Sequence, residues 1–191
     1  MMRFTTMKTK LRKYPSIFLI LLLAISSCFL TGCVNQHPKD SKKSSQGESV
    51  ETMLEITDPK EKQAVLNAKA KVKALSGNPR IVATSPAVAD ICDKLDLDLV
   101  GVPKSSVSKI PSRYKKVKKV GLAMSPDMEI VSSLNPDWIL APSSLETDLK
   151  PKFEELKNTE YAFLNLRSVQ GMYRSVQELG EIFGKQQEAR R

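Results

Sequence analysis

Short apolar runs alternate with amphipathic stretches from Arg80 to the last residue, and this alternation limits the fold more than any other feature of the chain. Arg80–Thr84, Leu97–Val102, Asp137–Ala141 and Tyr161–Leu166 are brief and almost wholly apolar, the pattern of strands buried on both faces. Between them, apolar residues recur at helical spacing. Ser85-Pro86 caps a helix to about Leu95, with Val88, Ile91, Cys92 and Leu95 on one face. After a polar loop, Pro103–Lys119, the Ser125-Pro126-Asp127 segment repeats the cap-proline signature and opens a helix carrying Met128, Ile130, Val131 and Leu134. A short helix follows over Asp148–Leu156. The last helix runs from Ser168 and carries Val169, Met172, Tyr173, Val176, Leu179 and Phe183. These elements predict an α/β fold, a mostly parallel sheet with helices on both faces, in one domain of about 110 residues.

The first third of the chain is of another kind. Arg3, Lys8, Lys10, Arg12 and Lys13 form a basic stretch ahead of the uncharged apolar run from Pro15 to Leu30. That run is shorter than the roughly 20 residues that span a bilayer. It ends in Leu30-Thr31-Gly32-Cys33, which reads as a lipobox: a signal peptide over residues 1–32, cleaved ahead of a lipidated Cys33. A retained membrane span is the rival, and the small residues directly before the cysteine speak against it. Lipidation at Cys33 places the mature protein on the outer face of the cytoplasmic membrane. Residues 33–57, rich in Ser, Lys and Gln, are expected to be a tether. Asp58-Pro59 then starts a lysine-rich helix that stops at Ser76-Gly77-Asn78-Pro79; whether it packs on the domain or extends the tether is open.

Composition excludes several functions once the leader is set aside. The chain carries 30 basic and 21 acidic residues, but five of the basic ones precede Cys33, which leaves a net charge of only +4. Lys115, Lys116, Lys118 and Lys119 cluster without interleaved aromatics, so nucleic acid is not an expected partner. The single histidine, His37, lies in the tether, which removes Ser-His-Asp and Cys-His arrangements from the folded part. There is no Gly-rich phosphate loop, and Asp127 and Glu129 sit where first-turn acids ordinarily favour a helix dipole. An enzyme is not expected. Cys92 lies in an apolar helical pattern and reads as a buried filler. What the pattern does offer is helix starts at the carboxyl edge of a sheet, at Ser85-Pro86-Ala87 and Ser125-Pro126-Asp127. Their free N–H groups suit an anionic ligand, although most such starts are ordinary caps.

Six segments taken in order carry a resemblance: Arg80–Thr84, Cys92–Leu97, Val100-Gly-Val-Pro103, Pro111–Lys115, Val120–Glu129 and Leu134-Asn-Pro-Asp-Trp138. Together with the lipobox, they are similar to the first lobe of the IsdE-type haem-binding lipoproteins of Gram-positive bacteria. These belong to the class III binding-protein superfamily, the substrate receptors of ABC importers. The resemblance implies a receptor that captures haem b and delivers it to an ABC transporter permease for iron uptake. It implies Met124 as an axial ligand of the haem iron. It places the haem propionates at the helix start formed by Ser85, Pro86 and Ala87, with Thr84 alongside. Taken alone, Met124 is one of four methionines beyond Cys33, a residue type that mostly fills cores, and Met128 fits that description.

In the family, two α/β lobes close on the ligand and are joined by one long helix, and the second lobe supplies an axial histidine. The resemblance therefore divides the chain into a first lobe, 79–167, and the start of an interlobe helix, 168–191, ending before a second lobe. The expectation is a product truncated to one lobe, with an apolar stripe exposed on its last helix. Two alternatives remain beside the haem receptor. One is a receptor for a ferric siderophore or cobalamin on the same fold; the other is a non-binding remnant or a lipoprotein that only contacts a permease.

Overall fold

The computed structural model describes Arg3, Phe4 and residues 58–191. Cys33, His37, the leader and the tether lie outside the described residues. The six-stranded sheet has the order β1 (Arg3–Phe4), β8 (Glu160–Leu164), β7 (Trp138–Pro142), β2 (Ile81–Ala83), β3 (Leu99–Val102), β4 (Lys118–Lys119). All neighbours run parallel except β1, which pairs antiparallel on the β8 edge. The predicted parallel α/β architecture is therefore the one observed, and β4 adds a short edge strand inside the expected loop.

Alternation along each strand divides the core between the two sheet faces. Ile81, Ala83, Trp138, Leu140, Ala162 and Leu164 point to one side, where they meet α1 (Pro59–Lys73), α2 (Pro86–Lys94) and α5 (Val169–Phe183). Val82, Ile139, Ala141, Tyr161 and Phe163 point to the other, under α3 (Met128–Ser133) and α4 (Glu146–Glu154). Phe153 of α4 stacks on Phe163 with ring centroids 5.8 Å apart, while Trp138 meets Phe183 edge-on at 5.6 Å. Cys92 is fully buried on α2, and burial pushes its thiol up to about 12, so it is the inert filler expected.

Two readings of the sequence need correction. The second Ser-Pro does not cap a helix. Ser125–Pro126 is a strand, β6, pairing antiparallel with β5 (Gly121–Leu122), and the cap of α3 is Asp127. The last helix does not run on to Arg191 either. α5 ends at Gly184 in the left-handed conformation (φ 71°), and a short α6 (Gln186–Ala189) follows. The turn is tight: Lys185 N–H donates to the Gly180 carbonyl at 2.7 Å, and a Cβ on Gly180 would stand 2.7 Å from that of Ala189.

The lysine-rich helix packs on the lobe. Val65 and Ala68 of α1 are buried against α5, and Lys69 and Lys71 pair with Glu181 and Glu160. This packing covers much of the stripe expected to be open on the last helix. Val176, Leu179 and Ile182 are buried, and only Val169, Met172 and Tyr173 stay exposed.

Candidate functional site

The parallel strands point their carboxyl ends at one edge of the sheet, where open α/β sheets bind ligands. Two structures stand there. One is the start of α2, directly after β2. Ser85 is extended (φ −133°, ψ 155°) and its Oγ accepts from Val88 N–H at 3.3 Å. Ala89 N–H donates to the Ser85 carbonyl at 3.0 Å, and Pro86 has no N–H to offer. The Ala87 N–H is the one donor of the first turn without an acceptor among the described residues, and Ala87 is exposed. An anion approaching this end meets that donor and the positive end of the helix.

Thr84 plays a different part from its neighbours. Its amide N–H donates to the Leu140 carbonyl at 3.0 Å and its hydroxyl to the same oxygen at 3.3 Å, and the residue is 1% exposed. Thr84 thus ties β2 to β7 beneath the helix start, its donors already committed. Ser85, buried and engaged as a cap, fixes the angle at which Ala87 is offered.

The other structure is the β5–β6 hairpin. Gly121 (φ 95°) takes a conformation that L side chains rarely adopt, and a Cβ there would lie 2.9 Å from the Asp127 nitrogen. Asp127 N–H closes the hairpin on the Val120 carbonyl at 2.7 Å, and Lys104 N–H donates to Gly121 O at 2.7 Å. The Asp127 carboxylate accepts from Glu129 and Ile130 N–H, both at 3.1 Å, and so serves the first turn of α3 itself. The anion-ready start expected at Ser125-Pro126-Asp127 is therefore occupied by the chain's own carboxylate. Ala123 and Met124 form the loop of the hairpin, and Met124 is 73% exposed.

The thioether of Met124 is a soft neutral donor suited to haem iron. Met124 stands exposed on a pinned hairpin, whereas core filler would be buried. Residues 58–191 contain no histidine, so within the described lobe Met124 has no imidazole to act with it. The described residues hold no cluster of His, Cys, Asp or Glu able to bind a bare metal ion. The chemistry on offer is one exposed thioether and one backbone amide without an acceptor among the described residues, both at the carboxyl edge. The hairpin escaped the sequence reading. The signal that could have found it is a glycine followed, across four residues, by a proline and a strong capping acid.

A parallel α/β sheet with a helix start and a hairpin at its carboxyl edge presents the edge at which open sheets of this kind hold ligands. A family model for periplasmic binding proteins matches residues 81–191, and the chain belongs to that family. High-affinity heme uptake system protein IsdE of Staphylococcus aureus is 36% identical over 115 residues, which cover 60% of this chain and 39% of that protein. The chain spans about two fifths of the length of the curated relatives it matches. An ABC transporter substrate-binding protein of Listeria monocytogenes EGD-e is 45% identical, with a TM-score of 0.57 over 60% of this chain and 43% of that one. S. aureus IsdE complexed with heme aligns at 36% identity and a TM-score of 0.56, with the same coverage. The siderophore-binding protein BauB, bound to acinetobactin and ferric iron, aligns at 26% and 0.52, over 61% of this chain and 44% of that one.

Proposed function

We propose that this chain is the first lobe of a lipid-anchored haem receptor that serves an ABC importer on the outer face of the cytoplasmic membrane. The observation that carries the reading is Met124, a large apolar side chain with a soft donor, 73% exposed at the tip of a rigid hairpin on the ligand-binding edge. Its likeness to IsdE at 36% identity supports haem as cargo. Met124 supplies an axial sulfur to the iron, and Ala87 N–H receives a propionate at the start of α2. The permease engages the lobe surface, and diacylglycerol on Cys33 keeps the lobe beside it.

Haem titration of the full chain in lipid nanodiscs, with empty nanodiscs as blank, tests the reading. A saturable Soret shift is expected, lost in Met124→Ala and retained in Met172→Ala. Met172 is the other exposed large methionine of the described residues and lines an apolar groove of about 630 Å³ between α2 and α5. A shift that follows Met172 refutes Met124 as the ligand, and no shift above the blank refutes the haem reading. Loss of lipid labelling in Cys33→Ala tests the anchor separately. A ferric-siderophore receptor is the second reading, favoured by the likeness to BauB. A siderophore fills the coordination sphere of its iron, so its binding would be indifferent to Met124→Ala.

A further inference from the structure

Seven large apolar side chains are exposed among the described residues. Leu66 lies on α1, and Val169, Met172 and Tyr173 lie on α5. The other three, Val107, Leu122 and Met124, stand on the hairpin and on the loop that Lys104 ties to it. Leu122 is 59% exposed and directly precedes the two-residue loop that carries Met124. Its cross-strand partner is Ser125, itself exposed, so nothing on the hairpin covers it.

This exposure is not the slack of a frayed loop. Three features fix the backbone around Leu122: the 2.7 Å bond from Asp127 N–H to Val120 O, the 2.7 Å bond from Lys104 N–H to Gly121 O, and the positive φ of Gly121. A pinned two-residue strand holding leucine in water keeps apolar surface exposed that a polar residue would spare.

We infer that Leu122 is a specificity-determining residue of the cleft: it makes the hairpin an apolar platform for the flat face of a tetrapyrrole beside the Met124 sulfur. The inference rests on the haem reading and extends it from the iron to the ring. A planar, weakly hydrated macrocycle gains by covering Leu122. A ferric siderophore chelate, coated with carbonyl and hydroxyl oxygens, loses hydration against it. Leu122 selects the ring, and Met124 selects the iron.

Iron-free protoporphyrin IX separates the two, because it presents the ring without an axial position for Met124. The full chain in nanodiscs is titrated with haem by absorbance and with protoporphyrin IX by fluorescence. Leu122→Asn is expected to weaken both about tenfold, with thermal unfolding unchanged, and Leu122→Met to restore both. Met124→Ala is expected to weaken haem alone. If the unaltered chain binds both ligands and Leu122→Asn binds protoporphyrin IX as tightly, the platform is refuted while the haem reading stands. If the unaltered chain binds neither ligand, both fall together.

Discussion

The hairpin at the carboxyl edge and the seam between α1 and α5 break opposite rules. On the hairpin, Leu122 and Met124 are large, apolar and exposed, on a backbone held by short hydrogen bonds. In the seam, Glu61 and Glu178 are charged by nature yet 6% and 0% exposed. As carboxylates, both oxygens of Glu178 and Oε1 of Glu61 find no donor among the described residues, and burial favours a proton on Glu178. Arg174 stands 4.0 Å from the other Glu61 oxygen. An exposed apolar group leaves surface in water that a ligand gains by covering, whereas a buried ionisable group ties the stability of the fold to pH. The first arrangement suits recognition, and the second is a property of the scaffold alone.

The largest effect is expected where the hairpin backbone is strained. Gly121→Val forces a β-branched residue to φ 95° and drives its Cβ against the Asp127 nitrogen. Strain and overlap together cost about 4 kcal/mol. Urea denaturation reads the loss. Hydrogen exchange locates it, since the Asp127 amide should lose protection while Ile139 and Leu140 in the central strand keep theirs. A uniform loss across the sheet would mean that the hairpin is part of the core and not a feature set upon it.

The seam gives the next largest effect, and it depends on pH. Burial, with the Glu61 carboxyl as a further cause, pushes Glu178 up to about 8. The folded lobe therefore holds a proton that the unfolded chain releases near the ordinary glutamate value. Stability is greatest below that ordinary value, falls as pH rises, and levels off above about 8. Glu178→Gln keeps the shape and the donor but not the titration, so its urea midpoint should stay flat from pH 5 to pH 9. It should exceed the parent's at the alkaline end. Parallel pH profiles for the two chains would show that Glu178 is already ionised in the fold.

What the sequence disclosed follows the range of the forces involved. The strands and most helices were legible because apolar spacing is local: Val88, Ile91, Cys92 and Leu95 announce α2 without reference to anything distant. The docking of α1 was not, because Val65 and Ala68 are the only apolar residues buried on it, beside the buried Glu61. Its polar ties include those from Lys69 to Glu181 and from Lys71 to Glu160, which span 112 and 89 residues. The two Ser-Pro segments look alike in sequence and differ in the residue that follows. Ala87 cannot cap, so Ser85 does. Asp127 can accept two amides, so the helix starts there and Ser125–Pro126 is left free to pair with Gly121. Met124 was singled out by resemblance alone, since no periodicity marks a hairpin tip.

The smallest effects sharpen the same contrast between the edge and the scaffold. Asp127→Ala removes the acceptor of two amides and should cost about 1.5 kcal/mol; Ser85→Ala removes the acceptor of one and should cost about 1 kcal/mol. Their consequences for an anionic ligand should differ in kind. Without its hydroxyl, Ser85→Ala frees the Val88 N–H next to that of Ala87, so haem affinity should hold or rise even as the fold weakens. Asp127→Ala loosens the backbone that presents Met124, so haem affinity should fall with stability. Urea midpoints and haem titrations on the two variants, taken together, check this. Affinity that tracks stability in both would make the start of α2 an ordinary cap, whereas opposite trends would make Ala87 N–H a ligand contact.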